Sequence, residues 1–182
     1  KNKKLKARLI KEGFTYGRVS TWTYFINEKS NLSVLSLSTD PKNLWGKKTG
    51  IYKNYTKSGW EKPAVIEYFK KRKGVGFTHG FTKSVNIKIA GNTSRRQPKK
   101  SFSITANNLD GREEINYPIF DDRKNEMYKS FFVRSDATSG RNVDSLWVGE
   151  RFKNELLYEV NKEMNGNVDM QAYEPVLLFL NG

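Results

Sequence analysis

Stretches in which every second residue is apolar recur along this chain, each bounded by glycine, proline or a cluster of charges. "VSTWTYFI" predicts a strand. "NLSVLSLSTD" alternates through Leu32, Val34 and Leu37, with Leu35 out of step, and then meets Asp40-Pro41. An Asp ahead of a Pro caps a helix and opens its first turn, so "DPKNLW" predicts a short helix. "TGIYKNY" predicts a turn and a short strand. "KPAVIEYFKK" predicts a strand with Pro63 near its start, where the missing N–H does least harm. "SVNIKIAG" puts Val85, Ile87 and Ile89 on one face and Asn86 and Lys88 on the other. After a loop from Gly91 to Pro98, "KKSFSITA" repeats the pattern with Phe102, Ile104 and Ala106. "YKSFFVRSD" adds another strand.

One stretch changes to helical period. "VDSLWVGERFKNELLYEVNKEM" spaces Phe152, Leu156, Val160 and Met164 along one face of a helix expected from Ser145 to Met164. Asp144 or Ser145 can cap it, Asn165-Gly166 can end it, and its apolar face is expected to pack on the sheet. "AYEPVLLFLNG" closes with a strand over Val176 to Leu180. Asn181-Gly182 is a hairpin turn signal, so the sequence is expected to be a piece of a longer protein cut at a hairpin. Together the elements predict an α+β fold, a mostly antiparallel sheet with one long helix.

Composition narrows the chemistry. At 182 residues the chain fits one domain. It carries 33 Lys and Arg against 19 Asp and Glu, a net charge of +14. Phosphates, nucleic acid, acidic polymers and anionic membranes are therefore candidate partners. The absence of cysteine excludes disulfides and thiolate metal sites. With His79 the single histidine, a histidine-rich metal site is not expected. No run approaches the roughly 20 apolar residues of a membrane-crossing helix, so no span is expected.

The sharpest local signal is "GNTSRRQPKKSFSI". Lys100 has the parity of Phe102, Ile104 and Ala106, which sets a cation on the apolar side of its strand. Such a lysine either snorkels at the strand end or meets a buried anion. Upstream, Gly91, Ser94 and Arg95 can offer backbone N–H groups, a hydroxyl and a guanidinium fork to phosphate oxygens. A solvated basic turn accounts for the same loop. Asp121-Asp122 and Asp136 read as metal carboxylates or as turn residues. Trp22, Trp45 and Trp60 read as core residues or as rings for a glycan. The basic residues are spread over the whole chain without a recognition motif, so a nucleic-acid partner is not expected.

The order of "DPKNLWGKKTGIYKN", "GWEKPAVIEYF", "VNIKIAGNTSRRQPKKSFSI", "INYPIF", "YKSFFVRS" and "QAYEPVLLFLNG" resembles the CotH family of spore-coat-type secreted kinases. The resemblance covers about Leu32 to Gly182. It makes 32–182 the N-terminal part of a CotH-like kinase domain and 1–31 a linker or the end of a preceding β-domain. It implies the N-terminal lobe of an atypical protein-kinase-like fold, ATP with Mg or Mn, and phosphoryl transfer to serine-rich protein substrates. It also implies a location outside the cell, at its surface or in a spore coat.

Lys100 matches the lysine of the family's "KS" pair, which grips the α- and β-phosphates. Gly91, Ser94 and Arg95 match its phosphate-facing loop. The 145–164 helix takes the place of the helix whose glutamate orients that lysine. Glu150 and Glu159 flank its apolar face, and Glu155 is expected to project toward solvent. Arg134 resembles the family's arginine at a strand end, in a salt-bridging role. The family's catalytic and metal-binding carboxylates follow "FLNG", so no catalytic residue is expected here and the piece is expected to be inactive. A non-catalytic surface or spore-coat assembly or adhesion module of the same fold is the alternative. A polyanion or nucleic-acid binder is a further one.

Overall fold

Most stretches with the two-residue period form strands. The computed structural model describes residues 3–17, 19–135, 141–143, 146–148 and 152–182. A hairpin comes first, β1 (Lys3–Arg8) with β2 (Val19–Tyr24), followed by β3 (Ser33–Ser38) and the short helix α1 (Pro41–Trp45). The capping signal of α1 is met as expected, with Asp40 Oδ1 accepting from the Lys42 N–H at 2.8 Å. The long hairpin β4 (Lys62–Arg72) and β5 (Gly76–Ile89) leads to β6 (Phe102–Ala106). Short ladders follow: β7 (Ile115–Asn116) with β8 (Met127–Tyr128), then β9 (Ser130–Val133), and β10 (Arg141–Val143) with β11 (Leu146–Val148). The second helix, α2 (Lys153–Glu163), precedes the closing strand β12 (Val176–Leu180).

The main sheet has six strands in the order β12-β3-β4-β5-β6-β9. All neighbours are antiparallel except β12, which runs parallel to β3. The fold is thus α+β and rich in antiparallel pairing. Leu178↔Leu35↔Tyr68↔Phe81 and Ile87↔Ile104↔Phe131 align across the strands, so one face carries a continuous apolar core. The turns after α1 cover one end of that face with Ile51 and Tyr52, and 115–128 cover the other with Ile115, Tyr117 and Ile119. Tyr117 lies against Tyr68 and Phe81, at ring-centroid distances of 5.6 and 5.5 Å. That approach needs Gly80: a Cβ there would come within 2.8 Å of the Tyr117 ring.

The opposite face of β3 and β4 carries Ser36, Ser38 and Glu67 beside Val34 and Phe69, and is covered by the β1–β2 hairpin and by Phe25. Every residue of β3 is buried, because one side meets the core and the other meets this hairpin. Leu35 and Leu37 face the core, and Val34, buried on the hairpin side, is the residue out of step: a strand covered on both faces has no solvent side to keep polar.

Three expectations are corrected. Residues 51–55 form successive turns and no strand. The helix is shorter than the 145–164 span, since 146–148 pair as a strand and α2 begins at Lys153. It ends as expected, with Asn165 in the left-handed region at φ 49°. The third correction is its orientation: Phe152, Leu156, Val160 and Met164 are exposed, and Tyr158 is the buried residue of α2. Asp144, Ser145, Glu150 and Asp136 lie outside the described residues.

Candidate functional site

Between the apolar face of the sheet, the 119–128 segment, α2 and residues 169–175 lies an open cleft of about 1690 Å³. Its floor is aromatic and aliphatic, with Tyr68, Phe81, Phe102 and Phe131 from four neighbouring strands. Charged side chains line it as well, Lys99, Lys100, Arg123, Lys124 and Arg134 with Glu155, Glu159, Asp169 and Glu174.

Lys100 enters just ahead of β6 and is only 8% exposed. Its ammonium sits over the Tyr55 ring at 4.0 Å and faces Tyr52 at 5.3 Å. It donates to the carbonyls of Arg95 at 2.6 Å and Gln97 at 3.0 Å. All of these partners are neutral. Among the described residues no carboxylate lies within ion-pair distance of it. Burial accordingly holds its pKa below the usual lysine value.

Two other lysines on the same sheet face are treated differently. Lys83 is buried opposite Ile66 and donates to Asp110 Oδ1 at 2.6 Å and to the Arg112 carbonyl. Burial opposes ionisation of Asp110, but the Lys83 bond wins and holds its carboxyl below the ordinary range. Lys70 meets Glu174 and Asp121, each at 3.0 Å. Burial alone would lower the Lys70 pKa; the bonds to Asp121 and Glu174 reverse that and raise it. Glu174 Oε1 also accepts from Ser33 Oγ and Tyr68 Oη, both at 3.0 Å. Burial first, and the Glu174 charge after it, push the Tyr68 phenol up to about 12. This network fastens 169–175 to the sheet, one wall of the cleft.

The loop that the resemblance assigns to phosphates is closed on itself. Gly91 has φ +92°, a conformation that disfavours any side chain there. Residues Thr93–Arg96 make one 3₁₀ turn, and Arg95 Nε donates back to the Gly91 carbonyl. Ser94 contributes its carbonyl to the same turn, accepting from the Gln97 N–H at 3.1 Å. Tyr52 Oη donates to the Pro98 carbonyl at 2.8 Å, and Ser135 Oγ to the Lys99 carbonyl at 3.0 Å. Gly91, Ser94, Arg95 and Lys100 are therefore brought together around one loop. Lys99 is exposed beside them.

From α2, Glu159 accepts from Tyr173 Oη at 2.9 Å. Glu155 also turns toward the cleft, against the expectation that it faces solvent, and its Oε2 is buried without a hydrogen-bond partner. The helix is turned this way because Tyr158 is drawn inward by Asp122, Arg123 and Tyr173. Asp121 and Asp122 are thereby engaged with Lys70 and Tyr158. Arg134 bonds the Asn154 side-chain oxygen at 2.8 and 2.9 Å when that amide is oriented to satisfy both. Trp22 and Trp45 are about half-exposed, not core residues, whereas Trp60 packs on the core.

The sequence reading missed Lys83, Lys70, Glu174 and the Tyr52–Tyr55 pair. Lys83 was within reach, because it shares the parity of Val85, Ile87 and Ile89 as Lys100 shares that of Phe102. The other three depend on loops returning to the sheet. Among the described residues there is no group of three or more His, Asp or Glu side chains that could hold a metal, and no helix long and apolar enough to cross a membrane. Comparisons with protein-family models, curated proteins and solved structures found no match to this chain.

Proposed function

We propose that this chain is the nucleotide-binding lobe of a CotH-like secreted atypical kinase that phosphorylates serines of spore-coat or surface proteins. The observation that carries the reading is Lys100, a buried ammonium in the cleft whose partners among the described residues are carbonyls and rings. An isolated buried charge is costly, and Lys70 and Lys83 meet that cost with carboxylates. A phosphate oxygen arriving at Lys100 would supply the missing countercharge through a charge-assisted hydrogen bond. It would take the place of the Arg95 and Gln97 carbonyls and release the 91–99 loop to close on the ligand. The aromatic floor suits a flat heterocycle, and Glu155 and Glu159 line the same cleft. Bound ATP would bring the transferable phosphoryl group, accompanied by Mg or Mn. The described residues assign no ligand to that metal.

The deciding experiment compares Lys100→Ala with Lys99→Ala in calorimetric binding of ATP. Loss of a charge-assisted phosphate contact weakens binding by about 1.5–3 kcal/mol. Lys99→Ala removes the same formal charge from an exposed position and is expected to change affinity little. Equal effects of the two would sink the reading and leave a generic basic turn.

A further inference from the structure

The β1–β2 hairpin is amphipathic in the unusual sense. Its inward side is polar, with Thr21 and Thr23 buried against the sheet. Its outward side pairs Leu5 with Trp22 and ends at Tyr24, all more than half exposed. A hairpin finishing in water would be built the other way round.

The same character continues into the tip. Leu9 is 78% exposed, Ile10 66%, Phe14 66% and Tyr16 67%. The tip is a closed loop, since Gly17 donates to the Leu9 carbonyl at 3.0 Å and Phe14 to the Lys11 carbonyl at 3.2 Å. Two cations lie on its rings: Arg8 over Tyr16 at 4.8 Å and Lys11 over Phe14 at 4.6 Å. Residues 1–31 hold eight Lys or Arg against two Asp or Glu, 8 − 2 = +6.

We propose that this tip docks on an anionic lipid surface. Leu9, Ile10 and Phe14 enter the headgroup region, Tyr16 lies at its level, and Arg8 and Lys11 meet the lipid phosphates. Apolar tip and basic flank call for a partner that is hydrocarbon and anionic at once, which a lipid interface supplies. Nucleic acid fits less well, because Leu9 and Ile10 give bases no ring to stack on.

The test is co-sedimentation of the whole chain with vesicles of phosphatidylcholine, alone or mixed with phosphatidylglycerol. Binding is expected to the mixed vesicles and to be at least about tenfold weaker to the neutral ones. Arg8→Gln and Lys11→Gln should each weaken it by about fivefold. The triple variant Leu9→Ser, Ile10→Ser, Phe14→Ser should lose binding at an unchanged urea midpoint, since these side chains are exposed. Wild-type partition by the triple variant would overturn the proposal, as would equal binding to neutral vesicles. So would loss of heparin binding by the triple variant to the same degree as loss of vesicle binding, because the tip would then be a soluble-polyanion surface.

Discussion

Thr23 gives both of its hydrogen-bond donors to Glu67: the backbone N–H reaches Oε1 at 3.1 Å and the hydroxyl reaches Oε2 at 2.6 Å. Glu67 is fully buried in the middle of β4, so this pair is the polar anchor that holds the β1–β2 hairpin on the sheet. Ser36 Oγ, 2.8 Å from the same hydroxyl, completes it.

Thr23→Val keeps the shape and removes the hydroxyl. It leaves a buried carboxylate oxygen without its short donor, so a loss of about 1.5–3 kcal/mol is expected by urea denaturation. Faster protease cleavage in 9–17 should accompany it, because the hairpin is what loosens. A wild-type midpoint with wild-type protection would show that the anchor does not hold the hairpin.

Lys4 makes this docking sensitive to alkaline pH. Its ammonium reaches the Leu37 carbonyl at 3.1 Å, and burial lowers its pKa to about 8, with the Glu67 charge acting in the opposite direction. The unfolded chain then binds more protons than the folded one between pH 8 and the model-peptide value near 10.5. Stability contributed at this site is therefore lowest below pH 8 and rises through that window. Lys4→Met should flatten the rise in urea midpoints across this range; an unchanged slope would count against the assignment.

Lys83 and Lys100 should respond oppositely to removal of their charge. Lys83→Met leaves Asp110 without its main partner and is expected to cost about 2–3 kcal/mol. Lys100→Met strands no carboxylate among the described residues and relieves a desolvated charge, so its midpoint should equal or exceed wild type. Thermal or urea melts of the two variants make the comparison. A loss at Lys100 as large as that at Lys83 would mean that the contacts to Tyr55 and the two carbonyls outweigh burial of the charge.

The orientation of α2 predicts an inverted mutational pattern. Leu156→Ser and Val160→Ser change exposed side chains and should shift stability by less than about 0.5 kcal/mol. Tyr158→Ala removes the residue that packs between Asp122, Arg123 and Tyr173 and should cost about 3 kcal/mol. The reverse order would mean that the helix is turned with its apolar stripe inward.

What the sequence determined by itself is the six strands of the main sheet and the inner faces of β5 and β6. Alternation at 85–89 and at 102–106 is a local property of the pleat, and it fixed which residues enter the core before any partner strand was known. The same local reasoning placed α1, through Asp40-Pro41, and put a lysine at the apolar edge of β6. Period alone could not decide what each second face meets. Val34 and Glu67 break the pattern in the sequence because β3 and β4 are covered on both sides, and that depends on a hairpin some forty residues away from Glu67. The rotation of α2 was beyond the sequence for a related reason. Its apolar stripe predicted packing, but the bonds of Tyr158 and Tyr173 to Asp122 and Glu159 turn the acidic side toward the sheet. Those four residues come from three separate segments. Only the tertiary structure brings them together, and it is also what gives Lys70 and Lys83 their carboxylates and, among the described residues, leaves Lys100 without one.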